Sequence, residues 1–238
     1  MRWRDSSRRI GLDVDSPPTQ VPELPPSFEI LPEHLPRDDK GSVLWTEVFE
    51  VSRPLQVEIG VGTSTFLIDI AERNPGINFV GIEYSAKRVA KFLKKVNHRG
   101  VSNIRMLRVE AVQWIPKLFS CQSIAHFHIN HPDPWPKRRH QKKRFVNREN
   151  SLLLAAFLSS GGGISLRTDF AEYAQQMLEV LDQTPGLTNL SGPGVFASIP
   201  REPTRTLYET KFLKAGVQIF YLEYEKTARH GPGTSHAP

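Results

Sequence analysis

Three prolines spaced two apart, Pro132, Pro134 and Pro136, enclose Asp133 and Trp135 in the stretch Asn130-His131-Pro132-Asp133-Pro134-Trp135-Pro136. Proline fixes φ and removes backbone donors, so the stretch reads as a rigid, extended lip that presents a carboxylate and an indole in set positions. A carboxylate held this way can stabilise positive charge developing on a ligand. The indole can shape a pocket, stack on a base, or pack as a plug in the core. Directly behind the lip, between Lys137 and Arg148, lie Lys137, Arg138, Arg139, Lys142, Lys143, Arg144 and Arg148 with no acid among them. Such a run makes a local positive field suited to phosphates, or a merely solvated surface where nothing binds.

A second constellation precedes it. Val57-Glu58-Ile59-Gly60-Val61-Gly62-Thr63-Ser64 reads as a buried strand that opens straight into a helix. Small residues at Gly60 and Gly62 let backbone approach a ligand, and the helix N-terminus offers free N–H groups. Glu83 closes the next strand, where a carboxylate can accept hydrogen bonds from two ribose hydroxyls. Together these point to a nucleoside cofactor. The third glycine of the dinucleotide fingerprint is missing, and Glu58 sits where it can face the cationic methionine end of S-adenosylmethionine, which favours methyl transfer over hydride transfer. Glu110 follows the third strand, either near an adenine or as an acid serving the N-terminus of its own helix.

These residues need a frame, and the pattern supplies one. Strands at 55–59, 78–83, 103–108, 123–129, 162–167 and 217–224 alternate with helices at 64–73, 86–98, 111–119, 147–159, 169–181 and 204–214, with Asp169 placed to cap the fifth helix. Alternation of this kind predicts an α/β fold with a mostly parallel sheet covered by helices on both faces. Residues 1–40, rich in proline and opening with Arg2, Arg4, Arg8 and Arg9, are expected to form a basic, extended or disordered arm, either solvated or touching RNA. The folded domain is expected over 41–226, and residues 227–238 as a disordered tail.

Composition bounds the function. The chain has 238 residues and is 39% hydrophobic, enough for one sizeable core. No apolar run approaches the roughly 20 residues that span a bilayer. Cys121 is the single cysteine, which excludes an internal disulfide and a thiolate metal cluster. His140 has no ligand-type companion at metal spacing, so no metal is expected. With no apolar leader after Met-Arg-Trp-Arg, a reducing cytoplasm is the expected location. The net charge of +6 raises the prior for a polyanionic partner.

Residues Val57 to Gly62, the text Pro132-Asp133-Pro134-Trp135-Pro136-Lys137-Arg138-Arg139-His140-Gln141-Lys142-Lys143-Arg144, and Thr210-Lys211-Phe212 together resemble the bacterial tRNA (guanine-N7)-methyltransferase family over residues 54–226. The resemblance implies a class I S-adenosylmethionine-dependent methyltransferase fold (Rossmann-like) and transfer of methyl to guanine N7 at position 46 in the tRNA variable loop. It implies that Glu58, Glu83, Glu110 and Asp133 contact the cofactor, with Asp133 also lining the guanine site. Lys137, Asp169, Thr210, Lys211, Phe212 and Leu213 match its substrate-binding positions. Arg138, Arg139, Lys142, Lys143 and Arg144 are assigned to the RNA backbone. Leu213 departs from the family's usual Glu, Ser64 from a third glycine and Glu110 from Asp. A catalytically silent tRNA-binding module and a small-molecule methyltransferase are the alternatives. The sequence leaves monomer and homodimer open.

Overall fold

The computed structural model describes residues 29–227. The expectations for the arm's arginines and for residues 228–238 lie outside the described residues. One eight-stranded sheet forms the centre: β1 (Glu29–Ile30), β2 (Leu55–Ile59), β3 (Asn78–Ile82), β4 (Ile104–Leu107), β5 (Ile124–Asn130), β6 (Leu158–Thr168), β7 (Leu187–Asn189) and β8 (Phe220–Lys226). Its spatial order is β1-β4-β3-β2-β5-β6-β8-β7. All pairings are parallel except those of β8, which runs antiparallel to β6 and to β7. The helices are α1 (Trp45–Phe49), α2 (Phe66–Arg73), α3 (Ala86–Arg99), α4 (Ala111–Leu118), α5 (Arg148–Phe157), α6 (Ala171–Asp182) and α7 (Leu207–Lys214). The α/β expectation, with a mostly parallel sheet, is borne out.

Period-two alternation decides which face each strand residue serves. Val57 and Ile59 of β2, Val80 and Ile82 of β3, and Phe127 and Ile129 of β5 join one cluster with α4, α5 and α6. Phe79 and the β4 residues Ile104 and Met106 face the other way, into a second cluster with Phe66 to Ala71 of α2 and with Val89, Phe92 and Val96 of α3. On this second face the central strands carry polar residues instead. His128 shares a hydrogen bond with Gln56 (2.8 Å), His126 with Ser165 (2.7 Å), and Asn130 donates to Glu58 (2.9 Å). Burial pushes the His126 imidazole down to about 3, so it is a neutral spacer in this row.

Strand order reverses between the parallel neighbours β2 and β5: the connection from β2 leads to β3 on one side, while β5 starts the other half of the sheet. A crevice opens at the carboxyl ends of the strands at such a reversal, and ligands of open α/β sheets bind there.

Several boundaries differ from the sequence reading for local reasons. The folded unit begins before residue 41. β1 adds a parallel edge to β4, Leu35 is buried, and Arg37 donates to the carbonyl of Lys117 (2.9 Å). Val217 is apolar but 38% exposed, and it belongs to the turn that ends α7, its N–H donating to the Phe212 carbonyl, so β8 starts only at Phe220. Asp169 does not cap α6, whose N-cap is Phe170. α1 and β7, five and three residues long, are too short to carry a readable period.

Candidate functional site

A cleft of about 420 Å³ occupies the crevice. Its walls come from the ends of β2 (Ile59, Gly60), β3 (Ile82 to Tyr84) and β5 (Ile129 to Asp133), with Val109 to Ala111 before α4 and Trp135, Lys143 and Phe145 from the lip and the run behind it. Of the residues selected from sequence, Gly60, Glu83, Glu110, Asp133 and Lys143 line this one cavity.

Glu58 is not among the residues that line it, but precedes the lining residues Ile59 and Gly60 in β2. The carboxylate is 1% exposed; Oε1 accepts from Asn130 Nδ2, and Oε2 is buried with no hydrogen-bond partner. Desolvation pushes its pKa up to about 8, against the opposing pull of Asn130 and Arg167. An orphaned buried carboxylate oxygen calls for a cation or a donor from a ligand. At Gly60, φ is +79°, and a Cβ built there would meet nothing within 4 Å, leaving an open cradle in the cleft floor. Gly62 (φ +61°) turns its N–H onto Glu83 Oε2 (3.1 Å), while Glu83 Oε1 accepts from Ser85 N (2.9 Å). Glu83 is thus fixed by backbone, and each oxygen retains a lone pair for a ligand hydroxyl. These features fit S-adenosylmethionine: a carboxylate for its cationic end, a glycine cradle and a clamped ribose acceptor. Glu110 serves both readings at once, since its side chain accepts from Gln113 N (3.0 Å) as the N-cap of α4 and also lines the cleft.

The proline lip is strained and braced. His131 (φ +47°) and Trp135 (φ +42°) occupy the left-handed region, which is unfavourable for side-chain-bearing residues by roughly 1–3 kcal/mol each. The His131 N–H donates to the Arg167 carbonyl (2.8 Å) at one end. At the other, Arg144 Nε donates to the Pro134 carbonyl (2.8 Å). Trp135 is half-buried against the cleft, with Lys143 Nζ 4.8 Å from its ring and the His140 ring edge-on at 5.7 Å. It shapes the pocket and is not a core plug. Asp133, exposed at the lip, faces the same cavity.

The basic run divides. Residues Arg138–Lys143 form a 3₁₀ helix with no buried member, and Lys137, Arg138, Arg139, Lys142 and Lys143 are exposed. Arg144 corrects the assignment to RNA. It is 3% exposed, its guanidinium turned inward onto Pro134, Gln176 (2.6 Å) and Glu172 (3.1 Å) and stacked over Tyr173. Its charge is consumed by α6, so it braces the lip instead of meeting phosphate.

Of the six positions assigned to substrate from the resemblance, two, Asp169 and Phe212, meet at His131. Asp169 Oδ1 lies 3.2 Å from its Nδ1, and the rings of Phe212 and Tyr208 lie 5.9 and 6.4 Å away. Burial lowers the His131 pKa against the pull of Asp169. Thr210 turns its hydroxyl back to the Thr206 carbonyl (3.1 Å), Lys211 is exposed, and Leu213 is 36% exposed; none of the three lines the cleft. Helix α7 is held to the sheet by a pair that sequence reasoning missed. Arg167 and Glu209, each fully buried, meet at 2.7 Å, and Glu209 also accepts from Tyr221 and closes a capping box with Thr206. Arg167→Met should strand the Glu209 charge and destabilise the fold by about 3–5 kcal/mol in chemical denaturation, with the native slope retained. Tyr84 (68% exposed) and Arg88, both on the cleft wall, also escaped the sequence reading, which carried no period or motif to single them out.

Among the described residues, no group of three or more His, Cys, Asp or Glu side chains is placed to hold a metal, and no helix is long and apolar enough to cross a membrane.

Residues 52–222 match the family described as "Putative methyltransferase". The chain is 36% identical over 215 residues to a tRNA (guanine-N(7)-)-methyltransferase of Leifsonia xyli subsp. xyli, covering 90% of this chain and 92% of that one. It is 34% identical over 184 residues to the protein of the same name from Geobacter metallireducens, covering 77% and 87%. Among solved structures, the 16S rRNA methyltransferase KamB superposes with a TM-score of 0.58 at 12% identity over 81% of this chain and 95% of that one. The 30S ribosomal A1408 methyltransferase from an uncultured bacterium gives 0.52 at 16% identity over 77% and 92%. At these identities the two structures share the fold, here that of class I methyltransferases. The chain belongs to the tRNA (guanine-N(7)-)-methyltransferase family.

Proposed function

We propose that this protein transfers a methyl group from S-adenosylmethionine to N7 of a tRNA guanine, at position 46 in the variable loop. The observation that carries the reading is the single cleft whose floor and far wall are Gly60 and Glu83 and whose near lip is Asp133 and Trp135. S-adenosylmethionine, when bound, supplies an electrophilic sulfonium methyl. Glu58 and Glu83 would hold it, with Gly60 and Gly62 as the backbone cradle, and Glu110 would be a further contact at the cleft wall.

Guanine N7 carries an in-plane lone pair and no proton, so alignment matters more than a strong base. The ring becomes cationic as the new bond forms. Asp133, fixed by its flanking prolines and by Arg144 beneath Pro134, holds negative charge where that cation develops and orients the base. The exposed Lys137, Arg138, Arg139, Lys142 and Lys143 meet phosphates and set register without reading sequence. Asp169 and Phe212, packed on His131, steady the start of the lip. The names of the relatives and the basic run favour this over a small-molecule substrate.

Lys142→Ala with Lys143→Ala should weaken tRNA binding and lower the slope of log affinity against log salt by about 1–2. An unchanged slope would move the RNA surface elsewhere. A tRNA transcript with adenosine at position 46 should accept no methyl group, whereas methylation of it at another guanine would overturn the positional assignment.

A further inference from the structure

On the side of the cleft away from the lip, α3 carries six Lys or Arg (Lys87, Arg88, Lys91, Lys94, Lys95 and Arg99) and no acid in its 14 residues. Three of these look inward or sideways and are engaged. Arg88 lies 3.7 Å from Glu83, Lys95 donates to the Thr63 carbonyl, and Arg99 pairs with Glu72 and Asp69. The other three do not share that geometry. At 100° per residue, Lys87, Lys91 and Lys94, with His98 behind them, lie opposite the buried Val89, Phe92 and Val96 and form a straight row along the solvent face.

That row is unfavourable for the helix itself. Lys87 and Arg88 occupy the first turn, which holds no acid of its own; Arg88 is offset by Glu83 at 3.7 Å, whereas Lys87 faces the positive end of the helix dipole on the solvent side. Lys87 and Lys91 repel as like charges four residues apart. A surface helix selected only for stability would place Glu at some of these positions. The row itself does not line the cleft, but it adjoins it through Arg88, next to Lys87 in the chain, which lines the cavity wall with the exposed Tyr84. Since β3, β2 and β5 are adjacent in the sheet, two strand spacings of about 4.8 Å separate the strand ends that carry α3 and the lip. Basic surfaces therefore stand on both sides of the cavity mouth.

We propose that the Lys87–Lys91–Lys94 row is a second RNA-backbone surface, taking phosphates on the side of the target base opposite to the Lys137–Lys143 run. The inference rests on the tRNA reading above. Charge complementarity and adjacency to the cleft select a nucleic-acid backbone as the occupant. A base flanked by phosphates gripped on both sides is held over the cavity in one register, which a single basic loop cannot do.

The test uses the full chain with Lys87→Gln, Lys91→Gln and Lys94→Gln combined, and a second variant with arginine at all three positions. For the Gln variant, the slope of log Kd for tRNA against log salt should fall by about 2–3, and KM for tRNA should rise about tenfold with kcat and cofactor affinity unchanged. The Arg variant should restore both. The thermal midpoint of the Gln variant should not fall, because repulsion is relieved. Native slope and KM in the Gln variant overturn the proposal, as does a loss of binding to phosphatidylglycerol vesicles with tRNA binding intact, which would make the row a membrane surface. A native protein that binds tRNA but transfers no methyl group sinks the enzymatic reading and leaves the slope comparison to decide the row.

Discussion

Asp133→Ala should reduce methyl transfer by at least about 10²–10³-fold while tRNA affinity changes by less than about threefold. The carboxylate sits exposed on the lip of the cleft and, as an anion, makes no favourable phosphate contact, so its loss should remove charge stabilisation at the reacting ring and leave the proposed grip of the exposed lysines and arginines in place. Asp133→Asn sharpens the point, because it keeps the size and one acceptor oxygen while removing the charge and turning the second oxygen into a donor. If charge is what matters, Asn should fall nearly as far as Ala, and kcat should fall with KM for tRNA almost unchanged. Single-turnover rates at saturating tRNA measure this directly. An Asn variant with native rate would reduce Asp133 to an orienting group, and an Ala variant with native rate would remove it from the chemistry.

The second large effect is a pH dependence of cofactor binding set by Glu58. Its carboxyl titrates near 8 in the folded protein and near 4.5 when exposed, because burial disfavours the charged form. The neutral form therefore stabilises the fold fully below the unfolded value, and that contribution fades as pH rises toward 8. A cationic ligand group has the opposite preference, since it pairs with the ionised form. Cofactor affinity should accordingly strengthen roughly tenfold per pH unit between pH 6 and 7.5, flatten above 8, and release close to one proton per cofactor bound. Calorimetry in buffers of different ionisation enthalpy reads that proton. Glu58→Gln should bind weakly with a flat profile and gain fold stability at alkaline pH. A flat profile in the native protein would show that Glu58 does not meet the cation.

Much of the site was legible because its chemistry is local in the chain. The strand into Gly60 and Gly62 and the acid at the end of the next strand need only a period of two and a turn, both visible over ten residues. The rigidity of the lip is legible for a similar reason, but its path is not. The alternating prolines predict extended backbone, whereas His131 and Trp135, each before a proline, turn left-handed where the Arg167 carbonyl and Arg144 brace the lip. What escaped depends on partners distant in sequence. Arg144 is one of seven similar cations in text, and only Glu172 and Gln176 on α6, together with the end of the 3₁₀ helix at Lys143, turn it inward. Arg167 and Glu209 are separated by 42 residues, and no pattern announces that a strand cation and a helix anion meet in the core. Asp169 read as a helix cap because Asp commonly serves there, yet the left-handed turn at His131 brings an imidazole to it. Leu213 illustrates the converse. It departs from the family's usual residue, but it is part-exposed on α7 and does not line the cleft that holds Asp133.

The most direct test of the central claim is nucleoside analysis by mass spectrometry after incubating the full chain with unmodified tRNA and S-adenosylmethionine carrying a deuterated methyl group. The label should appear as 7-methylguanosine at about one per tRNA, and a transcript carrying 7-deazaguanosine at the target, which replaces the attacking nitrogen by a C–H, should accept none. Label on any other atom, label on the 7-deaza transcript, or no label under conditions where tRNA is bound would contradict guanine-N7 methyl transfer.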